Sequence, residues 1–100
     1  GLRELLVSFD RQEKMIAAIC AAPSILSELG MLKGRNACAY PSFEEELDCE
    51  KVLQEPVVTD GHITTGRGMG AAIPFGLRLT SLLSGQEKAE EIRVSIVYEV

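Results

Sequence analysis

One hundred residues, 46% apolar and 25% charged with no tryptophan, make one domain at most, with a core of Leu, Ile, Val and Ala and a thin stability margin. A net charge of −5 with ten scattered basic residues speaks against nucleic-acid and anionic-membrane partners, which need clustered Lys and Arg. No apolar run approaches the roughly 20 residues of a membrane span. Three widely spaced cysteines, Cys20, Cys38 and Cys49, fit a reducing cytosol better than a disulfide scaffold.

The chain starts at Gly1 with an amphipathic pattern already under way and without a signal-peptide pattern, as expected of a fragment or a processed chain. Leu2, Leu5, Leu6 and Phe9 share one helix face, and the polar DRQEK of residues 10 to 14 ends that helix. The run MIAAIC, residues 15 to 20, has strand length and no alternation, the pattern of a strand covered on both faces in a parallel sheet. Pro23 then suits the first turn of a helix whose apolar face is Ala22, Ile25, Leu26 and Leu29. Gly30 is placed as its C′ residue, with Leu32 packing back.

KGRN, residues 33 to 36, is a connection, and Ala37 to Tyr40 predicts a short strand stopped by Pro41. Ser42 and Glu45 have capping-box spacing for one or two helical turns through Leu47. VVTDGHITTG, residues 57 to 66, predicts a β-hairpin joined at Asp60-Gly61. GRGMG, residues 66 to 70, is a glycine turn that lets the hairpin pass close to the next helix. It lacks the Lys-Ser/Thr of a P-loop and the order of a dinucleotide fingerprint. A long helix follows with Ala72, Phe75, Leu79, Leu82 and Leu83 inward, ended by Gly85. QEKAEEI predicts a short exposed helix and VSIVYEV a terminal strand or extended tail. This order is α/β, and its apolar richness looks like half of a larger sandwich. Another chain or segment is expected to cover an apolar sheet edge.

Chemistry concentrates at Cys20. A strand running straight into a helix presents its last residue on a tight turn at the carboxyl end of the sheet, where open α/β sheets bind ligands. The amides of Ala21 and Ala22 would face the sulfur from the helix N-terminus. They favour the thiolate and could form an oxyanion hole for a carbonyl adduct. The layout is the thiol counterpart of a nucleophile elbow. On these residues alone, a buried packing cysteine is an equal reading.

AAICAAPSILSELGMLKGR, residues 17 to 35, resembles the nucleophile segment of the DJ-one/ThiJ/PfpI superfamily. VVTDGHITTGRGMGAAIPFGLRLTSLLSG, residues 57 to 85, resembles that family's hairpin, glycine turn and last helix. Alanine after the cysteine is closer to the DJ-one-like branch than to the protease-like branch. The resemblance implies a flavodoxin-like three-layer α/β sandwich with a mostly parallel sheet, similar to class I glutamine amidotransferases. Residues 1–100 would be the C-terminal portion of one such domain. Cys20 would be the reactive thiol, with the Ala21 amide, and Ala22 as a second candidate, steadying an oxyanion.

It further implies a cytoplasmic homodimer and glyoxalase or deglycase activity on a small aldehyde, methylglyoxal or its adducts, in carbonyl and oxidative stress. The alternatives are a redox sensor or chaperone using an oxidisable Cys20, and the thiamine (hydroxyethylthiazole phosphate) biosynthesis label of bacterial members. No cofactor or metal is implied. Family members are about twice as long, and their N-terminal half supplies the glutamate that touches the sulfur. That half is expected here as a separate or cleaved chain. A family histidine in the connection before the hairpin is replaced around residues 40 to 50 by Tyr40 and Cys49.

The remaining candidates have bland readings. His62, just after the hairpin turn, is expected to be solvated rather than catalytic. Cys38 is expected to pack at the sheet and Cys49 to be exposed, and their spacing offers no zinc pair. Arg67 either meets an anionic substrate or pairs with a surface acid. Glu44, Glu45 and Glu46 read as a solvated helix face.

Overall fold

The computed structural model describes residues 1–99. Helix α1, Leu2–Arg11, forms where the apolar spacing places it. Its end is set by Glu13, which takes a left-handed φ of 55°. The Glu13 and Lys14 amides donate back to Asp10 and Phe9 carbonyls at 3.0 and 2.9 Å, a Schellman ending without glycine. Leu6, Val7 and Phe9 pack on the core, whereas Leu2 and Leu5 stay exposed.

Strand β1, Ile16–Ile19, follows. It pairs in parallel with β5, Ile63–Gly66, which pairs antiparallel with β4, Val57–Asp60. The sheet order is β1-β5-β4, so β1 is an edge strand. The coverage expected on both faces is found on one: Ile16 and Ala18 are buried, while Ala17 is exposed. A second, two-stranded parallel sheet joins β2, Asn36–Ala37, to β3, Lys51–Val52. Two of the three ladders are parallel. The core joins Ile16, Ala18, Leu26, Met31, Leu32, Ala37 and Ile63.

Helix α2, Pro23–Glu28, opens on proline and ends as read, with Gly30 left-handed at φ 76°. Gly30 and Met31 amides close a Schellman motif on Ser27 and Leu26 carbonyls. Its inner face differs from the expected one. Ile25 is exposed and Ser27 is buried, its hydroxyl donating to the Glu46 carbonyl and accepting the Asp48 amide at 2.7 Å. The expected strand at 37–40 is laddered only at Asn36–Ala37, and its buried continuation bonds to the neighbouring sheet through Thr65. The Ser42 capping box does not form. A 3₁₀ turn spans Pro41–Glu46, capped at Tyr40, because Pro41 takes the first position.

The hairpin register pairs Asp60 with Ile63. Its two loop residues are therefore Gly61 and His62, with positive φ at Gly61 alone, as in a type II′ turn. A short 3₁₀ turn, Met69–Ala71, leads into α3, Ala72–Ser84, and α4, Gln86–Ser95, packs on α3. Two expectations fail here. Leu82 and Leu83 are exposed and Ala72 is too, leaving Phe75 and Leu79 half-buried. Residues 94 and 95 are helical, and the chain then turns rather than forming a strand. Ion pairs Lys88–Glu91 and Arg93–Glu90 and packing on α3 extend the helix over its β-branched end.

Candidate active-site elbow around Cys20

Cys20 follows β1 directly and is half-buried. Its φ is 67°, a left-handed conformation that costs a non-glycine residue about 1–2 kcal/mol. Two long-range bonds hold it there. The Cys20 amide donates to the Gly66 carbonyl at 3.0 Å, and its carbonyl accepts the Tyr40 amide at 2.8 Å. The Ala22 amide closes the turn on the Ile19 carbonyl at 3.2 Å, so that donor is already committed. The Ala21 amide has no backbone acceptor among the described residues. The Ala21 carbonyl is fixed by the Ser24 hydroxyl at 2.7 Å.

Strained, over-determined backbone of this kind concentrates at functional sites. The turn can present a thiol beside one unengaged backbone donor, which is what an addition to a carbonyl needs.

Gly66 makes the turn possible. An added Cβ would lie 2.8 Å from Phe75 Cδ1 and 3.1 Å from Ile19 Cγ1. The glycine turn does bring the hairpin close to α3, as the sequence indicates.

The other two thiols are different. Cys38 is fully buried and its sulfur lies 3.3 Å from the Thr65 carbonyl. Burial pushes this thiol's pKa up, with the Thr65 hydrogen bond opposing. Cys49 is half-buried rather than exposed. Burial first, then Asp48 and Glu50, raise its pKa.

His62 is not solvated. Its side chain is 11% exposed and Nε2 lies 2.7 Å from Asp10 Oδ1. It ties the hairpin loop to α1 at the far end of the sheet, about 13 Å along the strands from Cys20 at roughly 3.3 Å per residue. Glu44 is not solvated either, being 18% exposed and 3.5 Å from Arg67 Nη2. Pairing with an acid was one of the two sequence readings of Arg67, but its partner Glu44 was not named, and the His62–Asp10 pair was not foreseen, because each joins residues distant in the chain. Among the described residues no carboxylate bonds to the Cys20 sulfur, and no cluster of three or more His, Cys, Asp or Glu could hold a metal.

A flavodoxin-like α/β half-sandwich with a cysteine at its strand–helix elbow is a specific combination. The chain belongs to the DJ-1/PfpI family, whose model matches residues 1–82. It is 38% identical over 91 residues to protein dj-1beta of Drosophila melanogaster, covering 89% of this chain and 49% of that protein. It is 38% identical over 95 residues to DJ-1 homolog A of Arabidopsis thaliana, covering 92% of this chain and 24% of the relative. A structure of oxidised Toxoplasma gondii DJ-1 superposes with a TM-score of 0.92 at 34% identity, covering 99% of this chain and 54% of that one. The chain thus spans about half the length, or less, of the relatives it matches. Among the described residues no helix is long and apolar enough to cross a membrane.

Proposed function

We propose that these residues form the thiol-bearing C-terminal half of a DJ-1-type domain whose Cys20 is the nucleophile of a glyoxalase or deglycase reaction. The observation that carries this reading is the left-handed Cys20, pinned at both its amide and its carbonyl beside an amide without a backbone acceptor. A relative named glutathione-independent glyoxalase, from Caenorhabditis elegans, is 31% identical over 90 residues, which are 48% of its length.

The Cys20 thiolate adds to the aldehyde carbon. A C–S bond forms, and the carbonyl π pair moves to oxygen, where the Ala21 N–H stabilises it. Protonation gives a hemithioacetal. A proton shift from C1 to C2 converts this to a thioester of the 2-hydroxy acid, and water releases the acid and the thiol. The acid–base group for that shift comes from the rest of the domain. The uncovered edge and exposed Ala17 of β1 support this reading, since both are free to take further strands.

The test is methylglyoxal turnover by the full-length protein. Cys20→Ala should abolish it, and retention of turnover would refute the mechanism. The oxidised Toxoplasma gondii structure favours a second reading, a redox sensor. Mild peroxide should then add oxygen selectively to the Cys20 peptide in a protein without turnover.

A further inference from the structure

Arg67 leaves β5 at the glycine turn, its amide fixed to the Pro56 carbonyl at 3.1 Å. Its guanidinium is poorly served. Nη2 reaches Glu44 Oε2 at 3.5 Å, beyond the 2.7–2.9 Å of a good charge-assisted bond. Nε is fully enclosed and has no acceptor among the described residues. Enclosed N–H groups without acceptors are rare and costly. A guanidinium offers five donors in a planar fork, so most of this one's capacity is unspent.

The same arginine lines an open cleft of about 430 Å³ together with Tyr40, Gln54, Pro56, Met69 and Ala71. That volume suits a small ligand. The cleft adjoins the elbow through two residues: Tyr40, whose amide holds the Cys20 carbonyl, and Gly66, whose carbonyl holds the Cys20 amide immediately before Arg67. Glu44 is a sitting competitor. It balances the guanidinium's charge but meets only one nitrogen, in a monodentate, stretched contact.

We propose that this cleft is a carboxylate-recognition pocket in which Arg67 binds the carboxylate of a small ligand, with Tyr40 and Pro56 as its apolar walls and Glu44 as the group the ligand displaces. Resting on the function proposed above, this assigns the substrate class: 2-oxoaldehydes that also carry a carboxylate are preferred over neutral ones.

The test uses the full-length protein with Cys20→Ala, so that no turnover is required. Acetate and its neutral isostere acetamide are titrated at constant chloride while ¹⁵N spectra are recorded. Acetate should move the Arg67 Nε–H resonance downfield and shift the amides of residues 68 to 71, with half-saturation in roughly the millimolar range of a single exposed ion pair. Acetamide should do neither. Glu44→Gln should tighten acetate binding several-fold, and Arg67→Gln should abolish it.

The proposal is overturned if acetate leaves the Arg67 signal in place, if acetamide acts equally, or if Glu44→Gln weakens binding. It is also overturned if the Nε–H is already downfield and insensitive, which would mean that the rest of the chain supplies its acceptor. Acetate binding with no aldehyde turnover in the unmutated protein would remove the enzyme reading and leave the pocket standing.

Discussion

Replacing Gly66 by alanine tests the packing that creates the elbow. The backbone of Gly66 is not left-handed, so alanine meets no conformational barrier and its penalty is steric alone. The new methyl would stand 2.8 Å from Phe75 Cδ1, and 3.1 and 3.3 Å from Ile19 Cγ1 and Cδ1, where carbon atoms settle at about 3.5–4.0 Å. Ile19 is held in the sheet and Phe75 sits in the first turns of α3, so relief requires both side chains to shift or the strand and helix to part. Overpacking of this kind costs about 1–3 kcal/mol. Urea denaturation of the full-length protein should show a loss of about 2 kcal/mol with an unchanged m-value. Phe75→Leu should recover part of it, with a coupling of at least about 0.5 kcal/mol. Because the Gly66 carbonyl holds the Cys20 amide, the iodoacetamide labelling rate of Cys20 should change as well. A loss below about 0.5 kcal/mol, or strict additivity with Phe75→Leu, would refute the argument.

His62→Ala should cost about 1–2 kcal/mol by removing a largely buried hydrogen bond. It should leave the labelling rate of Cys20 unchanged; a change would place His62 in the site. Stability should also fall at alkaline pH. The unfolded chain releases the Cys38 proton near pH 8.5, whereas burial holds that proton longer in the fold. This contribution is complete below about pH 8.5 and is lost as pH rises through the raised folded value. Cys38→Ala should flatten the decline in denaturation midpoint above pH 8.5, and an equally steep decline would show that other groups carry it.

Local signals in the sequence were decisive where the physics is local. Pro23 and Gly30 bound α2 because one supplies a pre-set φ and the other a left-handed cap, and neither depends on distant residues. The apolar run before Cys20 became a strand for the same kind of reason. The C-terminal tail misled because Val94, Ile96 and Val97 favour strands in isolation, whereas α3 and two intrahelical ion pairs carry α4 through Val94 and Ser95, and a turn follows at residues 96 and 97. Leu82 and Leu83 illustrate another limit. Apolar character marks surface that seeks a partner, and the described residues do not provide one. At the site, the cysteine and its turn were legible. An acid partner for Arg67 was legible as one alternative but its identity as Glu44 was not, and the His62–Asp10 pair was not legible at all, because each arises from tertiary closure between residues without a common motif.

The two backbone bonds on Cys20 tie it to residues 40 and 66, so its left-handed conformation does not rest on the local Ile19–Ala22 turn bond alone. Loop closure over such spans is entropically costly and comes with the assembly of the sheet. Until β5 is seated beside β1, residue 20 is an unconstrained thiol in a flexible chain. Its priming is therefore an all-or-none product of folding. A nascent or partly unfolded molecule carries the same cysteine without the elbow, and the labelling rate of that one residue can serve as a clock for completion of the fold.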